Sequence, residues 1–315
     1  MGTNSADHSA YSLTGQSLAA ELARSQSAAV ATLPVLRHLL ASDGPSLVNE
    51  AVVARVRGML RDLAVQLYAG GRSPLAVTAH SAPELDTILA RLGAHEALLA
   101  HIHTLSLESH LAERFEQRLS LDPVLSPLLQ ELIASDDQAV AGLAMNTLAA
   151  QTRFMQSQRR MALPLEELPA DLFRAALELG EGLTHRDSAS ALAALVAGYD
   201  EATTRLALLE RLVLAMRRAV IACLAFDRAG LALFAQGLVA LSGMTRAEAI
   251  HACHEQQAPR LALGLRAAGL DLAGIERQML LIATPGPWLS EITEISPQDA
   301  RARVSGPDTA APEHG

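Results

Sequence analysis

The densest grouping of metal-ligand and proton-carrying residue types in this 315-residue chain is Glu248-Ala-Ile-His251-Ala-Cys253-His254-Glu255. On a helix, Glu248, His251 and Glu255 share one stripe, with His254 beside them. A Glu-x-x-His of this kind is half of a di-iron site, whose other half comes from further helices. No second copy is identifiable, and Glu248 has a competing role as the third residue of a capping box begun by Thr245. Cys253 lacks the second cysteine of a zinc or haem attachment motif. The expectation is therefore no metal and no cofactor. A metal- or small-ligand site in Glu248–Glu255 stands as the alternative.

Other chemistry is harder to find. None of the 25 basic residues is a lysine, which removes a Walker lysine, a Schiff base and a Ser-x-x-Lys nucleophile. His95, His101, His103 and His110 are close in sequence but do not share a face; His101 and His103 point about 200° apart on a helix. Neither His95-Glu96 nor His254-Glu255 completes His-Glu-x-x-His. His185-Arg186-Asp187-Ser188 holds three triad residue types, yet triads are assembled in space, so the run reads as a loop and helix cap. Gly180-Glu-Gly182 lacks the third glycine and the preceding strand of a dinucleotide loop. No catalytic residue is assigned, and the chain reads as non-enzymatic, with an unrecognised helical enzyme as a further alternative.

The most distinctive stretch lies between Gln138 and Leu165, which contains no acid but holds Arg153, Arg159 and Arg160. At 100° per residue, Val140, Leu143, Ala144, Leu148, Phe154 and Met155 form an apolar stripe. Asn146, Ala149, Arg153, Gln156 and Arg160 recur on the opposite face. Net charge is -9, so this is a local cationic, amide-rich ridge on an acidic protein. Arg153, Gln156, Arg159 and Arg160 are the candidate partner-binding residues, because a guanidinium fork pairs with carboxylates. An acidic segment of another protein is the expected partner, and Glu166, Glu167 and Asp171 of the same chain are its rivals. The net charge argues against nucleic acid and anionic membrane. Gln151 and Gln158 fall on the apolar side, where unpaired amides are costly. Either they bond to a neighbouring element or partner, or the helix ends or kinks before them.

These residues need elements to hold them, and the punctuation supplies helices. Ser81-Ala82-Pro83-Glu84 is a capping box opening a helix through Leu92, and Thr245-Arg246-Ala247-Glu248 opens one reaching about Gln257. Asp122-Pro123 repeats the device for a helix to Ala134, and Ser296-Pro297 opens a last helix to about Val304. Gly70-Gly71, Gly180, Gly198, Gly243 and Gly269 stand where helices should stop. Half the chain is hydrophobic but only 3% aromatic, which suits close-packed Leu, Ala, Val and Met. The charge-free stretch between Arg228 and Arg246 reads as a buried helix rather than a membrane span. Met1–Thr14 shows no signal-peptide pattern, and Cys223 and Cys253 lie within helical patterns, so a cytoplasmic setting without disulfides is expected.

Leu40-Ala41-Ser42-Asp43 echoes Ile133-Ala134-Ser135-Asp136, each read as an Asp capping an amphipathic helix, as in HEAT-type repeats. The expected fold is all-α, a right-handed α-solenoid-like array of antiparallel helix pairs. Tails at 1–14 and 304–315 flank an N-terminal helical region, 15–182, and a C-terminal one, 183–303, divided at Gly180–Gly182.

Gln151 to Pro169, with Ala-Ala-Gln-x-Arg-Phe-x-Gln-Ser-Gln-Arg-Arg-Met followed by Leu-Pro-Leu-Glu-Glu-Leu-Pro, resembles an uncharacterised proteobacterial family, domain of unknown function number two-three-three-six. Phe234 to Leu270 is similar to its C-terminal part. The resemblance covers roughly Leu18 to Ile282. It implies an all-helical, HEAT-like bacterial protein and transfers no activity and no site residue. The resulting expectation is a protein-interaction scaffold or regulatory adaptor.

Overall fold

The computed structural model describes residues 18–41, 50–70, 83–185 and 188–305. Helix covers 82% of them and no strand occurs among them. The α-helices are α1 (Leu18–Ala41), α2 (Glu50–Ala69), α3 (Pro83–Ala94), α4 (Glu96–Leu119), α5 (Pro127–Ile133), α6 (Gln138–Arg159), α7 (Ala170–Gly180) and α8 (Ala189–Gly198). They continue as α9 (Arg205–Ala215), α10 (Phe226–Ser242), α11 (Arg246–Ala252), α12 (Ala258–Ala267), α13 (Leu272–Ile282), α14 (Leu289–Glu294) and α15 (Pro297–Ser305). Short 3-10 segments at Leu165–Glu167, Glu201–Thr203, Arg217–Leu224 and Glu255–Gln257 join them.

Caps explain most of these boundaries. Thr245 and Glu248 form the reciprocal capping box that opens α11, and Gly243 closes α10 in the left-handed region at φ 85°. Two expected starts move. Asp122 Oδ1 accepts from the backbone N–H groups of Val124 and Leu125, making only a turn, and α5 begins at Pro127 under a Ser126 cap. A residue before proline is pushed out of the helical region, so Ser126 interrupts any helix begun at Pro123. The cap of α6 is Asp137, not Asp136: its Oδ1 accepts from Ala139 and Val140. Likewise α11 stops at Ala252, short of Gln257. Ser42, Asp43, Gly71, Ser81, Arg186, Asp187, the tail at 1–14 and residues 306–315 of the other tail lie outside the described residues, whereas 304 and 305 of that tail belong to α15.

The buried side chains form two cores. One gathers Val56, Met59, Leu63 and Leu67 of α2, Ile88 and Leu92 of α3, Leu98 to Leu105 of α4, and Phe173 of α7. The other gathers Leu107 to Phe115 of α4 with α5, α6 and α9 to α15, around Phe226, Phe234 and Leu261. Helix α4 therefore serves both, its N-terminal half in one and its C-terminal half in the other. Residues before Gly182 contribute to both cores, so the division expected at Gly180–Gly182 does not separate them.

In an array whose repeats touch only sequence neighbours, α1 would be remote from α12. Here α1 packs on α12 and α14. The Leu18 N–H donates to Glu291, and Gln257 Nε2 donates to the Ser25 carbonyl at 3.0 Å. Among the described residues no single helix is long and apolar enough to cross a membrane. The charge-free stretch after Arg228 is core: Phe234, Ala235 and Leu238 of α10 are fully buried.

Candidate functional site

The Arg/Gln ridge is carried by the last turns of α6. Arg153, Gln156, Arg159 and Arg160 are all exposed, as are Ala149 and Asn146 one and two turns earlier. The opposite side is seated in the core through Ala144 and Met155. The helix closes at Arg160, and Met161 enters the left-handed region at φ 54°. That turn is held by α2. Asp62 accepts from the Leu163 N–H at 2.9 Å, and Gln66 accepts from Leu165 and donates to the Leu163 carbonyl. Burial raises the Asp62 carboxyl above its ordinary pKa, against those hydrogen bonds. Gly58 makes the approach possible, since a Cβ there would lie 2.4 Å from Met161 Cβ.

The chain then returns past the ridge. Glu167 lies 3.7 Å from Arg153, with the two side chains 22% and 57% exposed. The same Glu167 accepts from the Arg205 N–H at 2.9 Å. One rival acid thus already meets one ridge arginine, in a long, exposed contact of small energetic value. Arg153, Gln156, Arg160, Glu166 and Glu167 stand around a cavity of about 180 Å³. Arg159 is not part of it. The buried side of the cavity is formed by Leu105 of α4, Leu163, Gln158 and Arg205.

Behind the cavity lies a buried ionic centre that sequence reading missed. Glu108 of α4 accepts from Arg205 through both carboxylate oxygens, at 2.9 and 2.8 Å, and from Arg246 at 2.7 Å. Side-chain exposure is 2% for Glu108, 3% for Arg205 and 16% for Arg246. Burial opposes ionisation of Glu108, but the two guanidinium groups prevail and hold its pKa down at about 2. Arg205 also donates to Gln151 Oε1 at 2.9 Å and lies 3.8 Å over the Phe154 ring. Gln151 completes itself by donating to the Pro123 carbonyl, which resolves the first of the two awkward glutamines. Arg246 donates further to the Ala232 carbonyl and Gln236.

The second glutamine is only half resolved. Gln158 Nε2 faces the Met59 sulfur at 3.2 Å, and Gln158 Oε1 is buried with no hydrogen-bond donor. Thioether sulfur is a weak acceptor.

A signal for the ionic centre was present. Leu98, Leu105, Glu108, Ala112 and Phe115 follow the three-and-four spacing of a buried stripe, with an acid in the middle of it. Arg205 follows the Thr204 cap and Arg246 the Thr245 cap. Both place a cation at the positive end of a helix dipole, which is unfavourable unless something else holds it.

The residues of the Glu248–Glu255 run are dispersed among other duties. Glu248 caps α11 and lies 3.5 Å from Arg260. Glu255 pairs with Arg114 at 3.0 Å, and His254 Nδ1 accepts from the Gln256 N–H. His251 packs edge-on against His103 of α4, with ring centroids 5.4 Å apart. Burial drives both imidazoles down to a pKa of about 4, so they are neutral at pH 7. Among the described residues no three His, Cys, Asp or Glu side chains converge as a metal-ligand set. Compared with protein-family profiles, with curated proteins and with solved structures, the chain matches none.

Proposed function

We propose that this chain is a non-enzymatic helical scaffold or regulatory adaptor of a bacterial cytoplasm, binding an acidic segment of a protein partner across the α6 ridge. The observation that carries this reading is the exposure of Arg153, Gln156, Arg159 and Arg160 on an acid-free helix of a protein with net charge -9. Exposed arginines retain their fork for a carboxylate partner, whereas Arg205 and Arg246 are committed inside. The HEAT-like part of the reading is supported by consecutive helices that pack together, α2 on α3, α3 on α4 and α5 on α6. The return of α1 onto α12 departs from an open array. Cys223 and Cys253 are buried free thiols, and the absence of a disulfide between them fits a reducing compartment. The run resembling the uncharacterised family includes the ridge but adds no activity.

The test is binding of a labelled glutamate-rich peptide to wild type and to a variant carrying Arg153→Gln, Arg159→Glu and Arg160→Glu. Glutamine is chosen at 153 because a glutamate there would face Glu167. Salt-sensitive binding lost in the variant, with a melting temperature within about 2 °C of wild type, is the expected result. Unchanged binding overturns the reading, and a large fall in melting temperature assigns these arginines to the fold.

A further inference from the structure

The cavity behind the ridge combines three features: an apolar wall, an unanswered hydrogen-bond acceptor and surplus positive charge. Leu105, Phe154, Leu163 and Leu206 supply the wall. Gln158, 1% exposed, lines the cavity with a buried Oε1 that has no donor. Desolvating an amide oxygen without a partner is unfavourable, so such a group is held ready for a donor that arrives with a ligand. The charge follows from the ionic centre. Two guanidinium groups, Arg205 and Arg246, share the single carboxylate of Glu108, which leaves one positive charge in excess. Arg205 is the member that lines the cavity, and Arg153 and Arg160 stand at its exposed side. Glu166 and Glu167 match Arg153 and Arg160 in number, Glu167 also accepting from the Arg205 N–H, so the net charge around the cavity remains the one positive charge of the ionic centre. At about 180 Å³ the cavity is smaller than sites that hold nucleotides or drug-sized ligands, and has room for one residue-sized group.

We propose that this cavity binds a residue-sized organic carboxylate with an apolar body and an N–H or O–H donor next to the carboxylate. The apolar body lies against Leu105, Phe154, Leu163 and Leu206. The carboxylate faces the arginines, and the donor satisfies Gln158 Oε1. A free amino or hydroxy acid and the carboxyl-terminal residue of a polypeptide present this same chemistry. The assignment does not rest on the ridge as a protein-binding surface. It is tested with purified full-length chain and small molecules, so it can fail while acidic-peptide binding survives, and the reverse.

The experiment is calorimetric titration with N-acetyl-L-leucine, L-leucine, N-acetyl-L-leucinamide and isocaproate. N-acetyl-L-leucine or L-leucine should bind, the former marking a chain end as the source and the latter a free acid. The amide, lacking the charge, should bind at least about tenfold more weakly, since charge-assisted hydrogen bonds are the stronger class. Isocaproate, lacking the donor, should bind several-fold more weakly than the best acid to wild type, and that difference should vanish in Gln158→Leu. Leu105→Trp, which fills the cavity, should abolish binding. If it fails to fold by circular dichroism, Gln158→Leu and Arg153→Gln with Arg160→Gln carry the test, the latter pair being expected to weaken the acid but not the amide. Equal binding of acid and amide, no binding of either acid at millimolar concentration, or indifference of a folded Leu105→Trp overturns the proposal.

Discussion

Arginine does opposite work in two regions of this molecule less than one helix apart. Around Glu108, Arg205 is stripped of water and Arg246 largely so, and both are locked by a carboxylate, amides and a carbonyl. On the ridge, Arg153, Arg159 and Arg160 stay in water, and the ion pair that Arg153 makes with Glu167 is 3.7 Å long. The same side chain is thus a structural member in one place and an available hydrogen-bond donor in the other, and burial decides which. An ion pair replaced as a whole by apolar groups can be neutral, whereas removing one partner strands the rest.

The sharpest way to break the comparison is Glu108→Ala. It leaves two buried guanidinium groups without their anion, and the expected loss is about 3 to 5 kcal/mol in urea unfolding. A loss below about 1 kcal/mol would mean that water reaches the centre and that Glu108 resembles a surface acid after all.

A smaller effect should appear as pH dependence. The Glu108 pKa is depressed from 4.5 to about 2 in the folded protein. Its contribution is therefore complete above pH 4.5 and lost as pH falls toward 2. The His101, His103 and His251 pKa values are lowered from 6.5 to about 4 by burial. Between those values the unfolded chain binds protons that the folded chain refuses, so stability also declines as pH drops from 6.5 to 4. Melting temperature should fall in two stages, and His251→Phe should make the upper stage shallower while leaving the lower one in place. An unchanged upper stage in that variant would take His251 out of the account.

The turn that ends the ridge can be probed separately. Gly58→Ala forces α2 and Met161 apart, and the predicted loss is about 1 to 3 kcal/mol, typical of an overpacked contact. Peptide binding to the ridge should weaken with it, because Asp62 and Gln66 on α2 fix the chain just beyond Arg160. Loss of stability with binding intact would uncouple the turn from the ridge.

The ridge was legible in the sequence because it is local: helical spacing alone places Asn146, Ala149, Arg153, Gln156 and Arg160 on the exposed face. The Thr245–Glu248 capping box and the αL glycine at Gly243 were legible for the same reason, since their hydrogen bonds close within four residues. The ionic centre was not, because Glu108 meets Arg205 and Arg246 at separations of 97 and 138 residues. Only its oddities showed, an acid on an apolar stripe and two arginines at the wrong helix end. The array of helix pairs rests on the echo between Leu40–Asp43 and Ile133–Asp136, a local pattern that says nothing about the return of α1 to α12. Asp122-Pro123 misled because Ser126-Pro127, four residues on, is an equally good start and the later proline forbids the earlier helix.

The smallest effect is expected at Arg159, which is exposed, lies on the ridge and does not line the cavity. Arg159→Glu should change stability by no more than about 0.5 kcal/mol, since it removes no buried contact. It should nonetheless weaken the glutamate-rich peptide, because binding to an exposed cationic ridge depends on summed charge within a Debye length of about 8 Å at physiological salt. It should leave N-acetyl-L-leucine binding unchanged. The variant therefore separates the two uses of this face. If peptide and small carboxylate weaken together, the ridge and the cavity act as one site, and the distinction between surface arginine and cavity arginine is drawn in the wrong place. If neither changes, Arg159 is solvated surface, and the partner-binding set contracts to Arg153, Gln156 and Arg160.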